Sequence, residues 1–149
     1  MKNKQSQNKS TGFSDEEKVA MKERALELRA EERMKKDRTA GEEAVLSTIA
    51  GMPEPDRVIA KKIHEIVTKS APDLMPRTWY GMPAYANRDG KIICFLKVKS
   101  KFKSRYAEVG FNEDAKLDEG TMWPVVFALT ELTAVEEKKI AELVKRAVR

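Results

Sequence analysis

The sequence predicts an α+β fold: a single antiparallel sheet of about four to five strands, helices packed on one face of it, and an N-terminal helical arm. Towards both ends of the 149-residue chain, apolar residues recur at helical spacing. In the middle they alternate with polar residues, as in strands. Short turn signals separate these strands, so neighbouring strands should pair antiparallel.

The N-terminal part divides into a tail and a charged helix. Residues 1–13 are mostly polar and are predicted to be a disordered tail. A capping box of Ser14 and Glu17 opens a charged helix over residues 14–38. Its apolar residues form only a thin stripe, so we expect a loosely attached arm beside an α+β domain that spans residues 39–149.

Two further helices are predicted before the sheet. Thr39 and Glu42 repeat the capping signal, so a second helix should start there and continue through Ala50. A proline-rich connector follows, and Pro55 can occupy the first turn of a third helix. That helix should end at Ser70, because Ala71-Pro72 comes next.

The period changes to that of strands from Arg77 onwards. Gly81 and Pro83 interrupt the segment up to Tyr85, which is therefore either two short strands or one bent strand. An Asp-Gly pair ending at Gly90 predicts a hairpin turn. The remaining predicted elements are a strand Lys91–Lys99 with Ile92, Cys94, Leu96 and Val98 facing the core, strands Arg105–Phe111 and Val125–Leu129, and a helix capped by Thr133.

Charge and composition exclude several classes of protein. The net charge is +5, and residues 57–105 hold 12 of the basic residues but only 3 acidic ones. A basic region of this kind attracts anions. No apolar run is long enough to span a membrane. Cys94 is the single cysteine, which excludes an internal disulfide and favours a reducing cytoplasm.

The segment of residues 79–85 is a candidate ligand pocket. It contains three aromatic residues and a methionine around Gly81 and Pro83, an unusual composition for a surface loop. One interpretation is a preformed apolar pocket with a polar rim. The alternative is a core segment that is bent by the glycine and the proline.

A second candidate feature is a run of cations at every other position. In an extended chain all of them point to one side. If a turn at residues 100–103 folds the segment, its two arms still place several cations near one another. Either arrangement favours an anionic partner. The alternative is an edge strand whose lysines block pairing with other chains. The sequence argues against nucleic acid, since none of the usual binding signatures is present. The run consists of Lys97, Lys99, Lys101, Lys103 and Arg105.

Signals for catalysis are weak. His64 has no second histidine at chelating distance in the sequence, and Cys94 falls on the predicted core face. No phosphate-binding glycine loop, zinc-protease motif or nucleophile elbow occurs. The sequence therefore predicts a protein that is not an enzyme.

The chain resembles the YdhG-like family of bacterial domains. The similarity covers residues 42–148, and its most specific element is Trp79-Tyr80-Gly81-Met82-Pro83 within residues 78–85. Ala71-Pro72, Gly90-Lys91 and the segment 102–111 add to it. The resemblance implies a small α+β fold related to YjbR and frataxin-like domains. One relative has been proposed as a frataxin-like iron chaperone.

The sequence thus predicts a cytoplasmic, non-catalytic binding domain for a small anionic ligand or a protein partner, without a cofactor. The alternative is an iron chaperone that uses surface carboxylates such as Asp114, Asp118 and Glu119, because hard oxygen ligands suit iron. We expect no membrane partner, and the sequence leaves the oligomeric state open. The predicted ligand-binding residues are Trp79, Met82, Tyr85, Phe95, Lys101, Lys103 and Tyr106.

Overall fold

The computed structural model describes residues 12–149. Residues 1–11, most of the predicted tail, lie outside this range. The chain separates into two compact units, with the boundary between Asp37 and Arg38. The sequence places this boundary one residue later. The second unit, Arg38–Arg149, contains the sheet and its core.

A single helix, α1, spans Asp15–Ala50, so the prediction of two helices with a break near Thr39 is wrong. Its start is as expected, since the Glu17 backbone N–H donates to the Ser14 hydroxyl at 3.1 Å. The second capping signal is not used, because strong helix formers flank it on both sides. An interior glycine, Gly41, costs the helix only about 1 kcal/mol, which its packing offsets.

The C-terminal part of α1 is fixed to the start of the sheet by backbone contacts. The Arg38 guanidinium donates to three successive carbonyl oxygens: Pro72 at 2.6 Å, Asp73 at 3.1 Å and Leu74 at 3.1 Å. One turn further on, Gly41 lies against the Pro76 carbonyl so closely that a Cβ at this position would overlap the oxygen. Gly41 is therefore required for close approach between helix and strand.

Three further helices complete the fold. α2 (Asp56–Ser70) ends before Ala71-Pro72, as predicted. α3 is a short helix, Lys99–Phe102, and α4 is Ala134–Ala147. The predicted cap of α4 is present. The Thr133 hydroxyl donates to the Glu136 carboxylate, the Thr133 backbone N–H donates to it at 2.7 Å, and both bonds lower the pKa of Glu136.

The sheet has five strands in the order β1-β2-β3-β4-β5, each antiparallel to its neighbour. This arrangement confirms the predicted α+β class. The segment around Gly81 and Pro83 forms two strands joined by a tight turn. The strands are β1 (Met75–Trp79), β2 (Met82–Ala86), β3 (Ile92–Lys97), β4 (Ala107–Phe111) and β5 (Val126–Leu129).

The strand register assigns each side chain to one of two faces. Tyr85 pairs with Cys94, and Cys94 pairs with Phe111. These residues join the core with Val45, Ala60, Ile63, Val67, Ile140 and Val144 of α1, α2 and α4. An irregularity in register after Tyr85 puts Ile93 into the core instead of Ile92, which corrects the predicted pattern at that residue.

The Gly41→Ala variant tests the contact between α1 and the sheet. Alanine is the better helix former, so a solvent-exposed helix would gain about 1 kcal/mol. Here the added Cβ overlaps the Pro76 carbonyl, and forced overpacking costs about 1–3 kcal/mol. We expect the urea midpoint to fall. A Gly51→Ala variant is the control, since no atom lies within 3.4 Å of its Cβ. A raised midpoint for Gly41→Ala would contradict this packing.

Candidate functional site

The structure separates Tyr85 from the other predicted pocket residues. Tyr85 is on the helix face, 1% exposed, and its hydroxyl lies 2.9 Å from His64 Nδ1. His64 Nε2 lies 3.2 Å from a Glu42 carboxylate oxygen. Because a carboxylate only accepts, Nε2 carries the proton donated to Glu42, and Nδ1 accepts from the Tyr85 hydroxyl. This Glu42–His64–Tyr85 chain connects α1, α2 and β2.

Burial keeps the Tyr85 hydroxyl and the Cys94 thiol protonated. Burial is the main cause that raises the pKa of Tyr85, and electrostatic interaction with Cys94 and Glu42 raises it further. Burial also raises the pKa of the Cys94 thiol to about 12. Cys94 is therefore a protonated, buried thiol at neutral pH, as its predicted position on the core face implies. The sequence alone did not indicate the partners of His64, because Glu42 and Tyr85 lie on elements that are distant along the chain.

Aromatic side chains gather on the face opposite to the main core. The Trp79 ring contacts the Phe95 ring and the Tyr80 ring edge to face, both with centroids 5.2 Å apart. Phe95 pairs with Gly110 across β3 and β4, and its ring covers the position of a Cβ at Gly110. Met82, which pairs with Trp79, is buried here outside the main core.

The turn between β1 and β2 presents an aromatic ring to solvent. Tyr80 and Gly81 have φ values of 51° and 74° between the paired residues Trp79 and Met82, as a type I′ hairpin turn requires. Glycine and asparagine are favoured at such positions, and a bulky residue with positive φ is strained. Tyr80 nevertheless occupies one, with 79% of its surface exposed.

The run of cations is folded by a turn over residues 99–103, close to the turn at residues 100–103 that the sequence offered as the alternative to an extended run. After Lys97 the chain forms the four-residue helix α3, and Lys103 adopts a left-handed conformation with φ 51°. A long-range contact explains this turn. The buried Asp56 carboxylate of α2 accepts the Ser100 backbone N–H at 3.1 Å, which a strand at this place would not allow.

This turn brings two lysines to the Phe102 ring. Lys97 Nζ lies 5.0 Å from the Phe102 ring centroid and 3.4 Å from the Glu108 carboxylate. Lys101 Nζ donates to the Gly81 carbonyl at 3.1 Å and lies 5.8 Å from the same Phe102 ring. We call this group the aromatic–cation patch. It consists of Trp79, Tyr80, Phe95, Lys97, Lys101 and Phe102.

The predicted site is therefore divided. Trp79, Phe95 and Lys101 belong to the patch, with Met82 packed beneath it. Tyr85 lies on the other face. Lys103 and Tyr106 follow the helical turn, and the Tyr106 ring contacts the Arg105 guanidinium at 5.2 Å. Tyr80 and Phe102 are not among the predicted ligand-binding residues. Their sequence neighbours are a signal for exposure, since Tyr80 stands beside a glycine in one turn and Phe102 stands between lysines in another.

A separate cavity of about 410 Å³ lies between the end of α2, residues 71–74 that lead to β1, the β2–β3 turn, the loop after β4 and the end of α4. Its cations are Arg88, Lys116 and Arg149, and it also contains the carboxylates of Asp73 and Asp114. These residues come from distant parts of the sequence, so no local motif indicated the cavity.

The acidic residues considered for iron do not gather into one site. Glu119 forms an ion pair with Arg146 at 3.6 Å, whereas Asp114 lines the cavity. Within residues 12–149, no group of three or more histidine, cysteine or carboxylate side chains is arranged to hold a metal ion. Iron binding stays a prediction. In the same range no helix combines the length and the apolar character needed to cross a membrane.

Comparisons with family models, curated proteins and solved structures find no match to this chain. The resemblance to the YdhG-like family therefore stays a prediction that rests on the sequence motifs alone.

The Tyr85→Phe variant tests the role of Tyr85 as a structural residue. Removing the hydroxyl leaves His64 Nδ1 buried without its donor, which costs about 1–3 kcal/mol. We expect the urea midpoint to fall by a corresponding amount. Tyr106→Phe is the control, since the Tyr106 ring is only partly buried. Equal midpoints for Tyr85→Phe and wild type would contradict the hydrogen-bonded chain.

Proposed function

We propose that the Arg38–Arg149 unit is a non-catalytic binding domain that captures an anionic partner through the aromatic–cation patch. One observation carries this proposal: Lys97 and Lys101 converge on the exposed Phe102 ring, and Lys101 also reaches the turn that presents the exposed Tyr80. Core packing does not require lysines there. A surface that combines cations with aromatic rings suits a partner with negative charge and flat apolar parts.

The charge around the patch supports an anionic partner. The segment Met75–Phe111 contains eight Lys and Arg residues but only two acidic ones. Of these acidic residues, Glu108 is already paired with Lys97. Arg77, Lys99 and Lys103 form no ion pair within residues 12–149. The potential of these cations is therefore available to a ligand.

The state of the reactive side chains supports binding rather than catalysis. Both ring nitrogens of His64 are engaged, one by Glu42 and the other by Tyr85. Cys94 is buried with its thiol protonated, whereas nucleophilic cysteines need an accessible thiolate. As predicted from its single cysteine, we place the protein in a reducing cytoplasm.

The 410 Å³ cavity is a second candidate for a small anion. Its concave shape suits a small ligand better than the patch does. Its three cations share the space with Asp73 and Asp114, however, which weakens the potential for an anion. We therefore favour the patch, and two matched double variants separate the two sites.

Pyrophosphate is a suitable probe of anion binding. We expect it to raise the melting temperature by several degrees more than sodium chloride of equal ionic strength, since a ligand of the folded state stabilises it. The Lys101→Glu/Lys103→Glu variant should lose this specific gain. The Arg88→Glu/Lys116→Glu variant, which makes the same charge change at the cavity, should retain it.

Each variant is compared with itself in the two salts, so a change in its intrinsic stability cancels. Loss of the gain only in Arg88→Glu/Lys116→Glu would move the anion site to the cavity. Equal melting temperatures of the wild-type protein in both salts would contradict anion binding at either place.

A further inference from the structure

We infer that the partner of the aromatic–cation patch is a single-stranded nucleic acid, whose bases stack on the exposed rings and whose phosphates lie beside the cations. This inference rests on the proposed function and specifies its ligand. Single-strand binding surfaces combine a basic surface that follows the backbone with aromatic side chains for the bases. Both components are present here, in the β1–β2 turn, the adjoining strands and α3.

Tyr80 is the strongest indication of a stacking role. Its ring is the most exposed aromatic side chain of the patch, at 79%, and it stands at a backbone position that favours asparagine or glycine. The fold gains little from this choice, because the ring has only an edge contact with Trp79 and is mostly in solvent. Residues that are kept in unfavourable backbone conformations are concentrated at functional sites. A base that stacks on the ring would explain the tyrosine.

The other rings extend the surface. Trp79 lies between Tyr80 and Phe95, with centroid distances of 5.2 Å on each side. Phe102, which is 38% exposed, stands beside Lys97 and Lys101. Aromatic rings at several points of one surface, with two cations at the Phe102 ring, match a polymer that repeats a base and a phosphate.

The shape of the patch favours a polymer over a small anion. Small ligands bind in concave sites that cover most of their surface. Tyr80 is 79% exposed and Phe102 is 38% exposed, so these rings lie at the protein surface. An extended strand can gain affinity on such a surface from many separate contacts.

Single-stranded nucleic acid is favoured over an acidic peptide and over a duplex. An acidic peptide would use the cations, but it has no need of an exposed Tyr80. A duplex keeps its bases stacked internally, so their faces cannot reach the rings. The usual nucleic-acid motifs are absent from the sequence, because this surface is assembled from a turn, a strand and a short helix.

The test measures fluorescence anisotropy of a labelled twelve-residue oligothymidylate with the full chain. Unlabelled competitors are the same oligonucleotide, a duplex, thymidine monophosphate and polyglutamate. The key variant is Tyr80→Asn, which keeps the net charge and suits the turn, and its control is Tyr80→Phe. We expect Tyr80→Asn to weaken binding about 5- to 150-fold, the range for loss of one stacked base. Tyr80→Phe should bind like wild type.

The melting temperature of Tyr80→Asn should equal or exceed that of wild type, so misfolding would not account for the loss. Duplex or polyglutamate competing as well as the oligonucleotide would overturn the inference and leave only a general anion site. Thymidine monophosphate competing equally at the same concentration would identify a nucleotide site instead of a strand site. Unchanged affinity of Tyr80→Asn would also overturn it. If the Lys101→Glu/Lys103→Glu variant binds the oligonucleotide with wild-type affinity as well, the proposed anion-binding function is contradicted together with this inference.

Discussion

The one-sided packing of the sheet determines the rest of the structure. The core residues of α1, α2 and α4 all join a single face of the five strands, where Tyr85, Cys94, Leu96 and Val109 meet them. The opposite face must cover its backbone with its own side chains. It does so with large rings over small residues, as in Phe95 over Gly110. Because α1, α2 and α4 pack over the other face, these rings stay partly accessible to solvent. This accessibility makes the patch available to a partner.

The Glu42–His64–Tyr85 chain fixes which residues of β2 lie on each face of the sheet. Successive strand residues point to opposite sides, so a slip of one residue would exchange the faces completely. With the Tyr85 hydroxyl bound to His64, β2 cannot slip without leaving a polar group buried and unsatisfied. The register that holds Tyr85 inside therefore also holds Met82 and its partner Trp79 on the opposite face. A buried histidine thus fixes the position of a surface site that it does not touch.

The sequence predicted the fold better than the site. Periods of apolar residues and local caps are short-range properties, so the sheet, the end of α2 at Ser70 and the Thr133 cap were predictable. The turn at α3 was expected only as an alternative to an extended run, since the contact that holds it joins Ser100 to Asp56, which is 44 residues away. The sequence placed Gly41 at a helix start, because its close contact with the Pro76 carbonyl comes from a distant segment. For the site, the structure places the Trp79 ring on Phe95 and Lys101 at the Gly81 carbonyl, whereas the Tyr85 hydroxyl lies on the other face against His64 of α2.

The central claim is that bases contact the aromatic rings of the patch, and photochemical crosslinking tests this contact directly. An oligonucleotide with 5-iodouracil is bound to the full chain, irradiated and located by mass spectrometry after tryptic digestion. Our account predicts crosslinks in the peptide 78–88, at Tyr80 or Trp79. The peptide 117–138, which contains the other tryptophan, Trp123, is an internal control. Crosslinks confined to this control peptide, with none in 78–88, would contradict the account.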